Sequence, residues 1–280
     1  MRKVEVTERT VDIKRLMETP PAESDYDVLI DEPCMGYENG KLVLVYLKPP
    51  DTTETVARCR DACFHLPFPP KNWRTGGLQS CSRIFGFDPR KVTRKDYCSP
   101  TVMARESPKE HAAFLDMGKA VARMYEEYNP ELYAQHCQIN EENVHTDWRL
   151  PGLPFTGGIV NKNNPIRYHF DTANYSDVWS CLLCFKQDME GGYLAVPQYN
   201  IGVALRDGWV CLFDNKKFLH GVTPFNQLTA AGRRFTVVFY SNRGMWKCLP
   251  FREEIARFKD TRTTREDNRL KGVDPNPKTK

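Results

Sequence analysis

Two histidines and one aspartate in the C-terminal half have the types and spacing of a metal site. His169 and Asp171 lie in the run YHFD, and His220 follows in LHGV, 49 residues after the aspartate. Side chains two residues apart on a strand point to the same face, so we expect His169 and Asp171 to converge on one point. Two imidazoles and one carboxylate on one face of a metal leave open positions, as in non-haem Fe(II) oxygenases. The spacing therefore predicts an iron site.

An arginine follows the second histidine at a spacing that suits a keto-acid carboxylate. Arg234 opens RFTVVFY, the most strand-like run of this half, 14 residues beyond that histidine. An inward-facing arginine needs a carboxylate partner, and the distal carboxylate of 2-oxoglutarate fits its planar head group. Arg233 should face outward, because adjacent strand residues point to opposite faces. Arg167, two residues before His169, is predicted to bind the other carboxylate of 2-oxoglutarate or, equally, to be a charge at a sheet edge.

Short β-type runs must position these residues. We predict strands at 156–161, 166–170, 178–185, 193–196, 201–205, 209–213, 219–222 and 234–241. The connectors, such as EGG and RDG, are turn-type. Evenly spaced short strands with such turns favour a sandwich or closed barrel of the jelly-roll type. The predicted fold class is mainly β with helices, with a double-stranded β-helix core.

The N-terminal half mixes helices with fewer strands. Residues 1–40 show no clear period, residues 41–50 indicate a strand, and residues 52–64 indicate a helix. The pattern at 108–136 predicts a long helix broken at Asn129-Pro130, because proline removes a helical hydrogen bond. The apolar stripe of that helix, which we assign to the core, consists of Phe114, Met117, Val121, Met124, Tyr125 and Tyr128.

We divide the chain into three parts. An N-terminal α/β extension (1–150) packs contiguously on a jelly-roll catalytic core (151–250), and a basic tail (251–280) has a short helix, REEIARF, and a disordered end. Residues 243–280 carry a net charge of +5, whereas residues 1–242 carry −1. This excess suits a polyanionic partner, although a solvated tail that binds nothing is an equal alternative.

Composition excludes several classes of protein. Hydrophobic residues make up 40% and aromatic residues 11%, enough for a core and too many for global disorder. No apolar run approaches the ~20 residues of a membrane span, and the N-terminus lacks a signal-peptide stretch. We expect a cytoplasmic or nucleoid/nuclear location, where the ten cysteines stay reduced. Cys181 and Cys184 point to opposite faces of a strand, which is poor geometry for a zinc site or a redox pair. We therefore expect Cys59/Cys63 and Cys181/Cys184 to be buried core residues, since free cysteine is among the most buried residue types.

Several motifs form a specific combination across most of the chain. In chain order they are FGFDPR with KDYC, H-x-D-x-x-N, EGG-x-L-x-x-P, HGVTP and R-x-x-x-V-F-Y. With them the chain resembles the TET/JBP family of Fe(II)- and 2-oxoglutarate-dependent dioxygenases, which oxidise the 5-methyl group of pyrimidines in nucleic acid. The likeness is strongest to short phage and fungal members, and a phage-encoded protein would act in the host cytoplasm. The cysteine-rich zinc-bearing region of animal members is absent, so no structural zinc is implied.

The resemblance implies a role for each matched residue. The three metal ligands and Arg234 match the family's iron ligands and its co-substrate-binding arginine. Asn174 matches a polar position that contacts the flipped pyrimidine, and Tyr240 matches an aromatic that stacks on it. Asn242 falls where animal members have a base-contacting histidine, which leaves the identity of the pyrimidine open. A methyl group inside a duplex cannot reach a buried iron, so the nucleotide must be extruded. A core tyrosine and a turn asparagine are the plain structural alternatives.

Two segments, PPKNWRTGG and RKVTRK, offer basic residues with a nearby aromatic for DNA contact. Trp73 or Arg74 is placed to fill the gap left by a flipped base. A charge run is also typical of a solvated surface. The candidate DNA-binding residues are Trp73, Arg74, Arg90, Lys91, Arg94 and Lys95.

The predicted function is oxidation of 5-methylcytosine in DNA, with Fe(II), 2-oxoglutarate and O₂. The product is 5-hydroxymethylcytosine, with formyl or carboxyl products after further cycles. Thymine in DNA is an alternative substrate. An oxygenase that acts on a small molecule or a protein side chain, and a catalytically idle nucleic-acid-binding jelly roll, are further alternatives. DNA is the predicted partner, and no membrane or obligate protein partner is evident.

Overall fold

The computed structural model describes residues 1–50, 52–68, 81–90 and 95–271. Up to residue 150 its elements are β1 (Arg2–Glu5), α1 (Ile13–Leu16), β2 (Val28–Ile30), β3 (Cys34–Glu38), β4 (Lys41–Leu47), α2 (Thr53–His65), β5 (Cys81–Asp88), β6 (Ser99–Pro100), α3 (Val102–Glu106), α4 (Pro108–Tyr128) and α5 (Pro130–Asn143). After it follow β7 (Gly157–Lys162), β8 (Ser180–Gln187), β9 (Met189–Gly191), β10 (Leu194–Val196), β11 (Ile201–Val203), β12 (Trp209–Phe213), β13 (Gly221–Val222), β14 (Phe225–Gln227), β15 (Arg233–Tyr240) and α6 (Phe251–Leu270).

Two β-sheets face each other and enclose an apolar layer. Among the described residues the larger sheet runs β1-β3-β4-β12-β8-β15-β7-β5-β6, and the smaller one runs β13-β10-β11-β2. Leu44 and Tyr46 of the larger sheet share one buried cluster with Val196 and Ile201 of the smaller sheet. Strands β9 and β14 form a separate pair. The predicted class, mainly β with helices around a jelly-roll core, is confirmed.

Helices cover the outer face of the larger sheet. Phe114, Met117 and Val121 of α4 are fully buried in one cluster with Phe85 of β5 and Phe239 of β15. The helical segment is interrupted between α4 and α5 at Asn129-Pro130, as predicted, and the side chain of Asn129 caps α5. The second helix extends beyond its predicted end near residue 136, to Asn143.

The first 47 residues supply strands to both sheets. The prediction of a strand at 41–50 is confirmed by β4, which lies between β3 and β12. The structure also has β1, β2 and β3 in residues 1–40, where the sequence shows no clear period. β2 runs parallel to the distant strand β11, and β1 runs parallel to β3, so these pairings are not visible in a local pattern. The three-part division of the chain stays a prediction.

The predicted strand at 166–170 is wrong. Only His169 pairs there, in an isolated bridge with His220. The segment that leads into it cannot continue a ladder, because Asn163 has a φ of 47° and Pro165 has no N–H to donate. The two metal-ligand candidates in YHFD therefore lie on a loop held by a bridge and single hydrogen bonds rather than on a regular strand.

The tail differs from its prediction as well. Helix α6 continues from Phe251 to Leu270, well past REEIARF. Its first turn is anchored by Glu254, which is 2% exposed and accepts hydrogen bonds from the backbone N–H groups of Cys98 and Leu249 and from Arg90. The rest of the predicted disordered end, residues 272–280, lies outside the described residues.

The cysteine prediction holds for the two spaced pairs and is wrong for another pair. Cys59, Cys63, Cys181 and Cys184 are buried and free. Cys98 and Cys248 form a disulfide beside the start of α6. The two are 150 residues apart, so no spacing motif signals the bond.

Candidate metal centre and its cavity

The structure brings His169, Asp171 and His220 together. Each offers one ligand atom, and these atoms all lie within 4.8 Å of one another. The antiparallel bridge between His169 and His220 sets the two imidazoles side by side, with ring centroids 4.4 Å apart. In the part of the chain that the structure describes, this is the one group of three such side chains able to hold a metal ion.

The same local contact fixes both imidazoles. Nδ1 of His169 lies 2.8 Å from the carbonyl oxygen of Arg167, and Nδ1 of His220 lies 3.0 Å from that of Phe218. A carbonyl only accepts, so each Nδ1 carries the proton and donates it. In the neutral form of each ring the lone pair is then on Nε2, which is the atom that can bind a metal.

Two asparagines hold the carboxylate of Asp171. Nδ2 of Asn215 donates to Oδ2 at 2.5 Å, and Nδ2 of Asn174 donates to the same oxygen at 3.3 Å. The other oxygen, Oδ1, lies 3.4 Å from Nε2 of His169. Sequence reasoning missed Asn215. Its only signal is its position five residues before His220 in the run DNKKFLH.

Burial disfavours the charged form of each of the three ligands, and the contacts among them add to or outweigh its effect on each pKa. At His169 burial lowers the pKa, but the contact with Asp171 outweighs it and the pKa is raised. At Asp171 burial raises the pKa, but the two histidines and Asn215 outweigh it and the pKa is lowered. Burial and the nearby His169 lower the pKa of His220 to about 4. At neutral pH the site thus offers a carboxylate and a neutral His220.

A cavity of about 350 Å³ opens beside the three ligands. Both sheets contribute to its wall, since Leu182 and Thr236 come from the larger sheet and Leu194 and Val222 from the smaller one. Tyr240 also lines it, and burial raises the pKa of its hydroxyl group, with a contribution from Asp171. The polar lining residues besides the ligands and Tyr240 include Asn161, Thr172, Asn174, Ser180, Asn215, Thr236 and Asn242.

Arg234 is fully buried on the cavity side of β15. Every second residue of a strand shares a face, and Thr236, Val238 and Tyr240 continue the row from Arg234 along the cavity wall. Arg233 points away and donates to the carbonyls of Ala230 and Gly232, as predicted for the outward residue.

The guanidinium of Arg234 lacks the partner that its charge requires. Nη2 donates to the carbonyl of Gly192 at 3.1 Å, and Nε is buried without any partner. No carboxylate of the described residues lies within ion-pair distance, and burial lowers the pKa of the group. A bound dicarboxylate would supply the missing acceptor. The arrangement therefore fits 2-oxoglutarate.

The EGG turn has a role that its sequence did not reveal. Gly192 has a φ of 73°, and a Cβ on it would lie 2.8 Å from Nε of Arg234. The turn thus makes room for the arginine as well as bonding to it. Lys186, which sequence reasoning also missed, pairs directly with Arg234 across β8 and β15, and its Nζ donates to the carbonyl of Gly191 at 2.7 Å. Lys186 and Arg234 therefore place two cations next to each other beside the EGG turn.

Other predicted residues fall elsewhere. The side chain of Arg167 is exposed and donates to the carbonyl of Glu18, so the structure does not bring it to the cavity. Its same-face argument assumed the strand that is absent. Arg90 pairs with Glu254 at 2.6 Å, and Lys95 lies 3.1 Å from Asp88. The candidates outside the described residues are Trp73, Arg74, Lys91 and Arg94.

Asn174 and Asn242 line the cavity as neighbours. They face each other in an isolated antiparallel bridge, so their side chains lie on the same side. The backbone N–H of Asn242 donates to the hydroxyl of Thr156, and its side chain accepts from the N–H of Gly244 at 2.7 Å. A local capping role thus orients the side chain of Asn242 and leaves part of it facing the cavity.

The donor set matches ferrous iron. Two imidazole nitrogens and one carboxylate oxygen form a facial set that leaves positions for a bidentate acid. A family model, Tet/JBP, described as the oxygenase domain of the 2OGFeDO superfamily, matches residues 82–243, which include all three ligands and Arg234. The chain belongs to the Tet/JBP family. Family membership and the three ligands confirm the predicted cofactors, Fe(II) and 2-oxoglutarate.

Curated relatives share only this part of their length. The chain is 26% identical over 167 residues to thymine dioxygenase JBP1 of Crithidia fasciculata, covering 59% of the chain and 20% of that protein. It is 24% identical over 212 residues to the bifunctional helicase and thymine dioxygenase JBP2 of Leishmania braziliensis, covering 74% of the chain and 19% of that protein. The chain thus spans about a fifth of the length of either relative.

A solved structure supports the fold of this Tet/JBP chain. The structure titled NgTET1 in complex with 5mC DNA superposes with a TM-score of 0.53 at 13% identity, covering 77% of the chain and 78% of that protein. Among the described residues of the present chain, none of the helices has the length and apolar character needed to cross a bilayer.

Proposed function

We propose that this Tet/JBP chain oxidises the 5-methyl group of 5-methylcytosine in DNA to a 5-hydroxymethyl group. Family membership and the three metal ligands support the reaction type. The orientation of two amide side chains, Asn174 and Asn242, supports the choice of base. Each is fixed by a partner that leaves no freedom to exchange its oxygen and nitrogen.

Asn174 is fixed as an acceptor toward the cavity. The carboxylate of Asp171 can only accept, so the atoms of Asn174 and Asn215 that touch it are both amide nitrogens. Oδ1 of Asn215 then receives hydrogen bonds from Ser180 and from Nδ2 of Asn174, at 2.8 and 3.2 Å. Both contacts of Asn174 use its nitrogen. Its Oδ1 is the atom that it offers to a ligand.

Asn242 is fixed the other way round. The backbone N–H of Gly244 can only donate, so the atom that meets it at 2.7 Å is Oδ1 of Asn242. The amide nitrogen of Asn242 is the group left for a ligand. The cavity wall therefore presents an acceptor at Asn174 and a donor at Asn242, side by side.

This order of groups matches cytosine. A pyrimidine whose 5-methyl group points to the metal has the substituent at position 4 beside the metal and N3 one step further away. Asn174 touches Asp171 and is paired with Asn242. We therefore assign Asn174 to position 4 of the base and Asn242 to N3. Cytosine has an amine at position 4 and a bare N3, which satisfy both residues. Thymine would set oxygen against oxygen and N–H against N–H, and unpaired buried groups cost about 1–3 kcal/mol each.

The other residues of the cavity bind and orient the substrates. Iron held by His169, Asp171 and His220, with O₂ and 2-oxoglutarate, would supply the oxidising chemistry for the methyl group. Arg234 and Lys186 hold the distal carboxylate of the keto acid. Tyr240 offers its ring to the base, and Asn215 keeps Asp171 oriented toward the metal. Leu182, Leu194 and the other apolar lining residues exclude water from the reacting carbon.

Incubation with two DNA substrates tests the proposal. The protein is supplied with Fe(II), 2-oxoglutarate and duplex DNA that contains either 5-methylcytosine or only the four ordinary bases, and the nucleosides are analysed by mass spectrometry. We expect 5-hydroxymethylcytosine from the first DNA and no oxidised thymine from the second. Lack of any oxidised pyrimidine from a protein that binds iron would reject oxidation of DNA and favour a small-molecule or protein substrate.

Thymine in DNA is the second candidate. Its support is the name that the curated relatives carry, thymine dioxygenase, at 24–26% identity over 59–74% of this chain. The same experiment separates the two candidates, since 5-hydroxymethyluracil from ordinary DNA would establish thymine as a substrate.

A further inference from the structure

Two exposed side chains, Arg243 and Trp246, and the half-buried Lys216 hold the loop that follows Asp171, residues 172–176. Arg243 donates from Nη2 to the carbonyl of Thr172 at 3.0 Å, and Lys216 donates from Nζ to the hydroxyl of Ser176 at 2.7 Å. The ring of Trp246 packs on Tyr175, with centroids 5.3 Å apart. None of the three is needed to build the metal site.

The loop forms the entrance of the cavity. Thr172 and Ala173 both line the cavity and are exposed. The backbone of Arg243 also donates to the carbonyl of Ala173, and its chain neighbour Asn242 lines the cavity wall. Lys216 follows Asn215, which lines the cavity too. The two cations therefore stand at the entrance, one at each end of the loop.

Neither cation is neutralised by direct contact with an acid. Both hydrogen-bond to uncharged oxygens, and among the described residues no carboxylate lies within ion-pair distance of either. Burial and the charge of Arg243 lower the pKa of Lys216. Asp177 and Asp214 act in the opposite direction, and Asp214 is occupied by the backbone N–H groups of residues 216 and 217.

We propose that Lys216, Arg243 and Trp246 form a rim at the entrance of the cavity that binds the DNA beside the flipped nucleotide. This inference rests on the proposed function, because it requires a nucleic-acid substrate. A base that enters the cavity leaves its sugar and phosphates outside, at the entrance. Phosphates are bound mainly by lysine and arginine side chains, which position the duplex without reading its sequence. Two nearby cations at one entrance suit the phosphates that flank the extruded base.

Trp246 adds an aromatic surface to the rim. Its side chain is 41% exposed although one part of the ring packs on Tyr175. A base or sugar next to the flipped nucleotide can stack on the exposed part, and such stacking contributes about 1–3 kcal/mol per base. The tryptophan thus binds an uncharged part of the same DNA segment.

The salt dependence of binding tests the rim. The probe is a short duplex with one 5-methylcytosine, bound to the full chain at several salt concentrations. Each lost phosphate contact should reduce the slope of log K against log salt by about 0.9. We expect that reduction for K216Q and for R243Q, and about twice as much for the double variant. W246A should weaken binding roughly 5- to 150-fold with an unchanged slope.

Two cations that already have acidic partners provide the controls. Lys217 lies 3.9 Å from Glu8 and 3.8 Å from Glu38, and Arg206 lies 3.6 Å from Asp31. K217Q and R206Q should keep the affinity and the slope of the unmodified protein. If the double variant does not fold, K216Q alone decides, because it removes only one surface hydrogen bond.

The possible outcomes separate the rim from the proposed function. Unchanged slopes in K216Q and R243Q, in a protein that still oxidises DNA, would overturn the rim and leave the function standing. An equal loss of slope in K217Q would also overturn it, since binding would then depend on overall charge. Failure of the unmodified protein to bind or oxidise DNA would reject the function itself.

Discussion

At the scale of single residues, hydrogen bonds decide which atom each side chain offers. The two imidazoles are locked by carbonyls, and the two asparagines are locked by Asp171 and by the N–H of Gly244. These partners are set before any ligand arrives. The site therefore needs little reorganisation to receive a metal and a base, which is the condition for efficient electrostatic stabilisation.

Proton release on metal binding should come from His169. Asp171 has a lowered pKa and His220 a pKa of about 4, so neither carries a proton near neutral pH. His169 has a pKa above its ordinary value of 6.5, and a metal must displace its proton. We expect release of about one proton per metal at pH 6, decreasing as the pH rises above the pKa of His169. Anaerobic calorimetry with Fe(II) in buffers of different ionisation enthalpy measures this number.

The affinity for iron should decrease in the same pH range as the pH is lowered. A proton count that stays at zero at pH 6 would show that His169 is neutral in the metal-free protein. A count near two would show that His220 is protonated as well.

Gly192→Ala should weaken 2-oxoglutarate binding. The new Cβ would lie 2.8 Å from Nε of Arg234 and displace the guanidinium. Gly152 has the same φ of 73° and open space around it, so G152A carries the backbone strain without the clash. We expect the Kd for 2-oxoglutarate to rise at least tenfold in G192A relative to G152A. Equal binding by the two variants would place the keto acid away from Arg234.

Asn242→Asp should remove most of the preference for 5-methylcytosine over thymine, because each base would then have one matched and one mismatched contact. Aspartate keeps the oxygen that accepts from Gly244 and replaces the cavity-facing donor with an acceptor. The loss of one matched pair and the gain of a mismatch should reduce turnover of 5-methylcytosine by about 10- to 100-fold. Turnover of thymine should rise relative to it. Competition assays with mixed duplexes measure the ratio, and an unchanged ratio would argue against a role of Asn242 in reading the base.

At the scale of elements, strand β15 carries both the arginine assigned to the keto acid and the tyrosine assigned to the base. Arg234 at its start and Tyr240 at its end share one face, with Thr236 and Val238 between them. This order was predictable, because the alternation in RFTVVFY fixes which residues face inward. The sequence predicted correctly that Asp171 joins the metal site, but it predicted a strand as the cause. The structure holds Asp171 on a loop, through a backbone bridge and two asparagine side chains. Asn215 and Lys186 act through distant partners that no local pattern specifies.

Helix α5 is attached to the end of β15 through a neutral histidine. Ser241 donates its hydroxyl hydrogen to the carbonyl of Pro154, so Nε2 of His136 must donate to Ser241 at 2.7 Å. Nδ1 of His136 is then a bare lone pair, buried without a partner. Burial lowers the pKa of His136 to about 3. Protonation would place an unmatched charge in the core.

This contact predicts a loss of stability in acid. The unfolded chain binds a proton near pH 6.5 and the folded chain only near pH 3, so stability falls as the pH decreases between these values. The contribution lost at pH 5 is about 2 kcal/mol. In H136Q, where glutamine can still donate to Ser241, the free energy of unfolding should depend less on pH across this range. Parallel curves for both proteins would show that His136 is protonated in the fold.

At the scale of the whole molecule, the region that matches the family model, residues 82–243, does not contain the complete sheets. The family match begins at residue 82, after β1–β4. Strand β12 pairs with β4, and β11 pairs with β2. Removal of the first strands would leave β11 and β12 as open edges and expose the apolar residues between the sheets. Exposed strand edges promote aggregation.

A fragment of residues 82–243 should therefore fail to fold. We expect it to be insoluble or to unfold without a cooperative transition, and to bind no iron. The control is a chain that lacks residues 1–5, because this deletion removes only the edge strand β1. A soluble, iron-binding fragment 82–243 would show that the N-terminal strands are dispensable.

The Cys98–Cys248 disulfide turns most of the working part of the molecule into a closed covalent ring. His169, Asp171, His220 and Arg234 all lie inside that ring, whereas β1–β5 and α6 lie outside it. A protease that cuts one exposed loop between residues 98 and 248 would not release a fragment. On a non-reducing gel the cut protein would not separate into two smaller bands, and the two pieces would part only after addition of a thiol. Electrophoretic mobility with and without reductant thus reports whether a cut lies inside or outside the ring.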